Sequence, residues 1–250
     1  MRKINTTNAI EVMKANIQNF GFHTYVVGQS NIPRYCYTVG LLDSEIRVEL
    51  IFAGGCFFDL KKIDIILREC KKYLSSENSS EGGSFSTVDY GKFDLKLVDC
   101  SWVSLLCLGA ISFHKTSAVK FLQITPNFDF KTLDVPELSL PYNPVTEPIW
   151  KWLSSVWDYD IPKASTSVTN LACLKGKKVT EGMRWEHDEW ELFHGAMPEI
   201  KKSDIRIVPM GTMLAIDPSL ERVAQVEIGT GLWRENPRDE WHEWKPKNKV

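Results

Sequence analysis

Phe20-Gly21-Phe22-His23-Thr24-Tyr25-Val26-Val27-Gly28 is where the apolar residues of this chain change period. Before it, Ile10, Met13, Ile17 and Phe20 recur at helical spacing behind the capping residues Thr6, Thr7 and Asn8, and Gly21 offers a left-handed stop. After it, a β-branched and aromatic run reads as a strand, ended by the turn formers Gly28-Gln29-Ser30-Asn31. Working outward, strands are expected over 35–39 and 47–53, the latter stopping at Gly54-Gly55. Asp59 then caps a helix whose stripe is Leu60, Ile63, Ile66, Leu67, Cys70, Tyr73 and Leu74, and its basic face (Lys61, Lys62, Arg68, Lys71, Lys72) reads as a solvated surface. A Ser/Glu/Gly-rich loop over 75–84 precedes hairpin runs at 85–90 and 93–98 around Gly91-Lys92. Ser101 is expected to cap a short helix over 102–111, and 119–124 reads as a strand. Helices and strands in this order predict an α+β fold on a mainly antiparallel sheet. Gly54-Gly55 lacks the spacing of a phosphate-binding loop.

Repeated prolines (Pro136, Pro141, Pro144, Pro148) and the aromatic run Ile149-Trp150-Lys151-Trp152 mark a change of module. Eight of the nine tryptophans lie at or beyond Trp150, which also separates the halves. The reading is two modules, each a mainly antiparallel sheet with packed helices, at 1–126 and 168–250, joined by a Pro- and Trp-rich connector at 127–167. In the second, 170–174 is expected as a strand, Trp185 to Phe193 alternates, 205–210 is a strand, Asp217-Pro218-Ser219-Leu220 is a turn or helix start, and 229–234 returns as a strand.

Composition bounds the function. With 43% hydrophobic and 25% charged residues the chain can bury a core, and its net charge of -2 without a basic run argues against nucleic acid as a partner. Met1-Arg2-Lys3 leads into polar Asn5-Thr6-Thr7-Asn8, and no apolar run approaches the roughly 18 residues of a membrane span, so a cytoplasmic protein without a membrane partner is expected. The six scattered cysteines read as buried thiols rather than a zinc site or a disulfide framework, and no cofactor is expected.

Phe20-Gly21-Phe22-His23, Tyr35-Cys36-Tyr37-Thr38-Val39-Gly40-Leu41, Val48-Glu49-Leu50-Ile51-Phe52 and Leu122-Gln123-Ile124-Thr125-Pro126 follow one another as in the bacterial domain of unknown function numbered four-two-six-two, which the first half resembles. It departs from that family in having Val48 where a proline commonly precedes the Glu-Leu pair. The family lends no established chemistry. Tyr37, Thr38 and Glu49 are the pocket candidates of this half, against the alternative that they only satisfy local backbone groups.

The densest functional stretch is Met183-Arg184-Trp185-Glu186-His187-Asp188-Glu189-Trp190-Glu191-Leu192-Phe193-His194-Gly195, where aromatic surfaces and carboxylates are interleaved. Together with Asp217-Pro218-Ser219-Leu220, Gly231-Leu232-Trp233-Arg234 and Trp241, it resembles the domain of unknown function numbered two-one-eight-five, also known as the thirty-third immunity-protein family of bacterial polymorphic toxin systems. The family's Asp-Ser-Gly-Trp is shortened here to Asp188-Glu189-Trp190. The resemblance implies an immunity protein, not an enzyme, that binds and occludes the catalytic domain of a cognate toxin or effector, such as one delivered by type VI secretion. Candidate contacts are Trp185, Glu186, His187, Asp188, Glu189, Glu191 and Arg234, with tryptophan as an anchor and carboxylates steering a basic partner. Arg234 could alternatively pair with Asp217 as a brace, and Trp185 or Trp190 could belong to the core. The competing reading is a metal-dependent or acid-base hydrolase using Glu186, His187, Asp188 and His194. It is weakened by the absence of H-E-x-x-H and of a nucleophile elbow.

Overall fold

A computed structural model describes residues 6–28, 30–77, 81–195 and 199–246. The N-terminal run before Thr6, the turn residue Gln29 and part of the expected 75–84 loop lie outside the described residues. The fold is α+β, with two six-stranded mixed, mostly antiparallel sheets. Contacts divide the chain into two compact units. One takes the chain up to Val27, then Tyr35–Phe130 and Glu137–Tyr142; the other takes Gly28–Arg34, Lys131–Pro136 and the chain from Asn143 onward. The Pro-rich stretch is thus shared between the units.

In the first unit, α1 (Thr6–Phe20) ends where Gly21, at φ 81°, donates its N–H to Ile17 O at 2.8 Å. Of its expected apolar stripe, Met13 is buried, while Ile10 and Phe20 remain about half exposed. The strands β1 (His23–Val27), β2 (Tyr35–Val39) and β3 (Glu49–Ala53) form an antiparallel meander. Asp59 caps α2 (Leu60–Glu77) by accepting Lys62 N at 2.9 Å. Its core stripe is Ile63, Ile66, Leu67, Cys70 and Leu74; Leu60, expected there, is exposed.

The hairpin β4 (Gly82–Thr87) and β5 (Gly91–Leu97) is followed by α3 (Cys100–Leu106) and α4 (Leu108–His114). The cap of α3 is Asp99 rather than Ser101: the Asp99 carboxylate accepts Ser101 N, and the Ser101 hydroxyl is itself spent as a donor to it. Then β6 (Phe121–Pro126) enters between β3, to which it is parallel, and β5, giving the order β1-β2-β3-β6-β5-β4. Every residue of β2 and β3 is buried, as expected for strands covered on both faces. Leu50, Phe52, Leu122 and Ile124 pack with the stripe of α2, while Tyr37 lies against Gly109 of α4.

In the second unit a 3-10 turn, Pro148–Leu153, buries Trp150, whose Nε1 donates to Asp134 O at 3.0 Å. The sheet comprises β7 (Thr166–Asn170), β8 (Glu181–Arg184), β9 (Glu189–Phe193), β10 (Ile205–Pro209), β11 (Thr230–Trp233) and β12 (His242–Trp244), in the order β10-β7-β9-β8-β11-β12. All neighbours are antiparallel except β7 and β9. The strand expected over 170–174 ends at Asn170, whose side chain accepts Cys173 N and starts a helical turn, α5 (Leu171–Leu174). Met210 opens α6 (Met210–Ile216), and Asp217 caps the 3-10 turn Pro218–Leu220 that leads into α7 (Glu221–Ala224). Among the cysteines, Cys36, Cys70, Cys107 and Cys173 are buried free thiols, whereas Cys100 is exposed and Cys56 half-buried.

Candidate partner-binding face

The Met183–Gly195 stretch is a hairpin rather than one alternating strand. Trp185, Glu186, His187 and Asp188 form the turn between β8 and β9, since three consecutive polar residues have no place in a sheet interior. The turn is held from beneath. Trp185 N donates to Glu189 O at 3.1 Å, and Thr166 N donates to Asp188 O at 2.8 Å. Arg184 supplies the clamp: its guanidinium stacks 4.7 Å from the Trp190 ring and donates to Glu186 O, His187 O and Val226 O at 3.3, 3.0 and 3.0 Å. One cation therefore fixes three carbonyls, two of them in the turn, and the backbone of the tip is pre-organised.

The tip carries its side chains outward. Glu186, His187, Asp188 and Glu189 are exposed, Trp185 is 42% exposed and Glu191 is half-buried. Trp190 takes the other role, 1% exposed with its Nε1 donating to Val223 O at 3.3 Å. The two tryptophans of the motif are thus divided between surface and core.

Register extends this surface beyond the motif. Directly opposed residues in antiparallel strands share a face. Trp190 stands opposite Arg184, and Leu192 opposite Gly182, on the side where Val223 of α7 closes over Gly182. The other side carries Glu189, then Glu191, Met183, Gly231 and Trp244 in one row, and Phe193, Glu181, Trp233 and His242 in the next. Met183 and Phe193 are buried between these neighbours, while Trp233 is 42% exposed. Glu181 and Trp244 were not singled out from the sequence, and Trp233 entered only as part of a motif. Their one local signal is alternation in strands of three or four residues, too short to stand out.

Arg234 is not part of this face. It is 4% exposed, with Nη2 donating to Val179 O, Asp217 Oδ2 and Ser219 Oγ at 2.7, 3.2 and 3.1 Å. Nε also reaches Val179 O, Nη1 reaches Pro237 O, and the guanidinium lies 4.0 Å from the Trp241 ring. Burial pulls its pKa down from the ordinary guanidinium value, opposed by the Asp217 carboxylate. This is the brace with Asp217, buried in the core of the second unit.

Tyr37, Thr38 and Glu49 do come together, as an internal network. Glu49 is fully buried; its Oε2 accepts Thr38 Oγ1 at 2.7 Å, and its Oε1 accepts Gly40 N at 2.7 Å and Leu42 N at 3.1 Å. Thr38 Oγ1 in turn accepts Leu50 N at 2.8 Å. His114, unmarked in the sequence, adds its Nε2 at 2.9 Å from Glu49 Oε1, with Asp43 at 3.4 Å from Nδ1. The hydrogen bond to Glu49 raises the His114 pKa above 6.5, with burial opposing and the charges of Glu49 and Asp43 assisting. Tyr37 Oη accepts Gly109 N, and its ring stacks on Tyr25 at 5.2 Å; burial pushes its phenol pKa up. The polar atoms of the trio are spent on neighbours, and the Tyr-Thr-Val-Gly-Leu and Glu-Leu segments form one hydrogen-bonded brace.

The four residues of the hydrolase reading are not gathered. Glu186, His187 and Asp188 sit at the hairpin tip, whereas His194 follows the far end of β9, with Nδ1 2.8 Å from Lys178 O. Among the described residues no group of three or more His, Cys, Asp or Glu side chains is arranged to hold a metal ion. No described helix is long and apolar enough to cross a membrane. No protein-family model, curated protein or solved structure matches this chain.

Proposed function

We propose that this protein is a cytoplasmic immunity protein that neutralises a cognate antibacterial toxin by covering its catalytic domain. The observation that carries the reading is the Arg184-clamped tip, a rigid protrusion that presents an exposed Trp185 among Glu186, Asp188 and Glu189. An aromatic anchor on pre-ordered backbone loses little entropy on binding, and the surrounding carboxylates draw in a basic partner. Arg234, by its burial, supports the module and leaves contact to the tip and the adjoining sheet face.

The test is co-expression with the product of the adjacent gene, read as growth rescue and co-purification. The unaltered chain is expected to protect. A double variant, Glu186→Lys with Asp188→Lys, is expected to keep its urea midpoint but lose protection, with association slowed about tenfold at low salt and a flatter salt dependence. Undiminished association and salt response in that variant would sink the site assignment.

A further inference from the structure

On the outward face of the second sheet, at the end of β8 away from the tip, lies a groove of about 290 Å³ lined by Glu181, Trp233 and Trp244. Its shape follows from register. Trp244 stands opposite Gly231, and its ring lies so close over that glycine that a Cβ there would be 2.4 Å from Trp244 Cε2. Glu181 stands opposite Trp233 and lines the groove together with both indoles, with Glu191 on the next strand and the His242 ring 5.1 Å from that of Trp233. Among the described residues Glu181 and Glu191 form no salt bridge, and no lysine or arginine lines the groove.

We propose that this groove receives an arginine side chain of the protein partner, its guanidinium lying against the indoles and donating to the Glu181 carboxylate. The proposal rests on the reading that this face meets a protein. Three features of the groove select that occupant. Indole faces attract cations through the ring quadrupole. A carboxylate lining the same groove suits the planar two-pronged donor of a guanidinium better than a compact ammonium. An anion would meet two carboxylates, and an apolar side chain would leave Glu181 desolvated without a counter-charge. Burial, then the charge of Glu191, holds the Glu181 pKa above its usual value, the signature of a site short of positive charge.

N-acetyl-arginine amide and its neutral isostere N-acetyl-citrulline amide test this on the full-length protein, read through the indole N–H resonances of Trp233 and Trp244. The arginine compound is expected to shift both resonances saturably and about tenfold more tightly than citrulline. Glu181→Gln should abolish that preference without moving the urea midpoint, and Trp233→Leu should abolish the shift of the Trp244 resonance. Equal shifts from both compounds, no shift up to the solubility limit, or an unaltered preference in Glu181→Gln would each overturn the proposal. The probe involves no toxin, so a failed growth rescue with selective arginine binding refutes the immunity reading alone. Rescue without selective binding refutes the groove alone.

Discussion

At the residue scale, two buried ion pairs set the sensitivities of the units. Arg234 and Asp217 have side chains only 3% and 4% exposed, so removing one partner strands the other away from water. Arg234→Ala is expected to cost about 3–5 kcal/mol, read as a lowered urea midpoint. A cost below about 1 kcal/mol would mean that the brace is dispensable. His114 behaves differently because it titrates. Its folded pKa is raised, chiefly by the hydrogen bond to Glu49, so its protonated form contributes stability in full below 6.5 and loses that contribution as pH rises through the folded value. Unfolding measured at a series of pH values from 6.5 upward is expected to show stability falling as the histidine deprotonates. His114→Ala should be destabilised by about 2 kcal/mol at the acid end and show a weaker slope. A wild-type slope in the variant would assign the dependence elsewhere.

At the scale of elements, the hairpin of β8 and β9 and the short strands β11 and β12 make the outward face. Gly231 matters here for the space it leaves rather than for its torsion angles. Gly231→Ala would drive a methyl into the Trp244 ring, and the ring or β12 must move. The expected cost is about 1–3 kcal/mol, with a changed Trp244 indole resonance and loss of the arginine preference. An unchanged resonance would show that the ring does not pack as described. Periodicity made other elements legible beforehand: α2 with its Asp59 cap, the Asp217 turn, and the presence of the β4 and β5 hairpin, although its turn falls at 88–90 and Gly91-Lys92, expected as the turn, begin β5. What it missed were choices decided by one side chain, such as Asn170 turning a strand into a helical turn. The split between Trp185 and Trp190 was equally hidden, because a tryptophan reads the same in a sequence whether it points in or out.

Across the whole molecule, 30 basic and 32 acidic residues nearly cancel, and that balance conceals the carboxylates gathered on one face of one sheet. The α+β class was readable from the alternation of helical and strand periods. Strand order was not, because pairing across long stretches of sequence leaves no local pattern. Glu49 and His114 show the same limit, being partners 65 positions apart. The place of β6 has a consequence during synthesis. As the chain leaves the ribosome, β1 to β3 and then β4 with β5 can pair locally, yet β3 and β5 each keep one edge bare until β6 arrives between them. Such edges recruit strands from other chains. A nascent or truncated chain that stops short of Phe121 is therefore two sticky half-sheets, and the first unit becomes safe from self-association only when its sixth strand has been made.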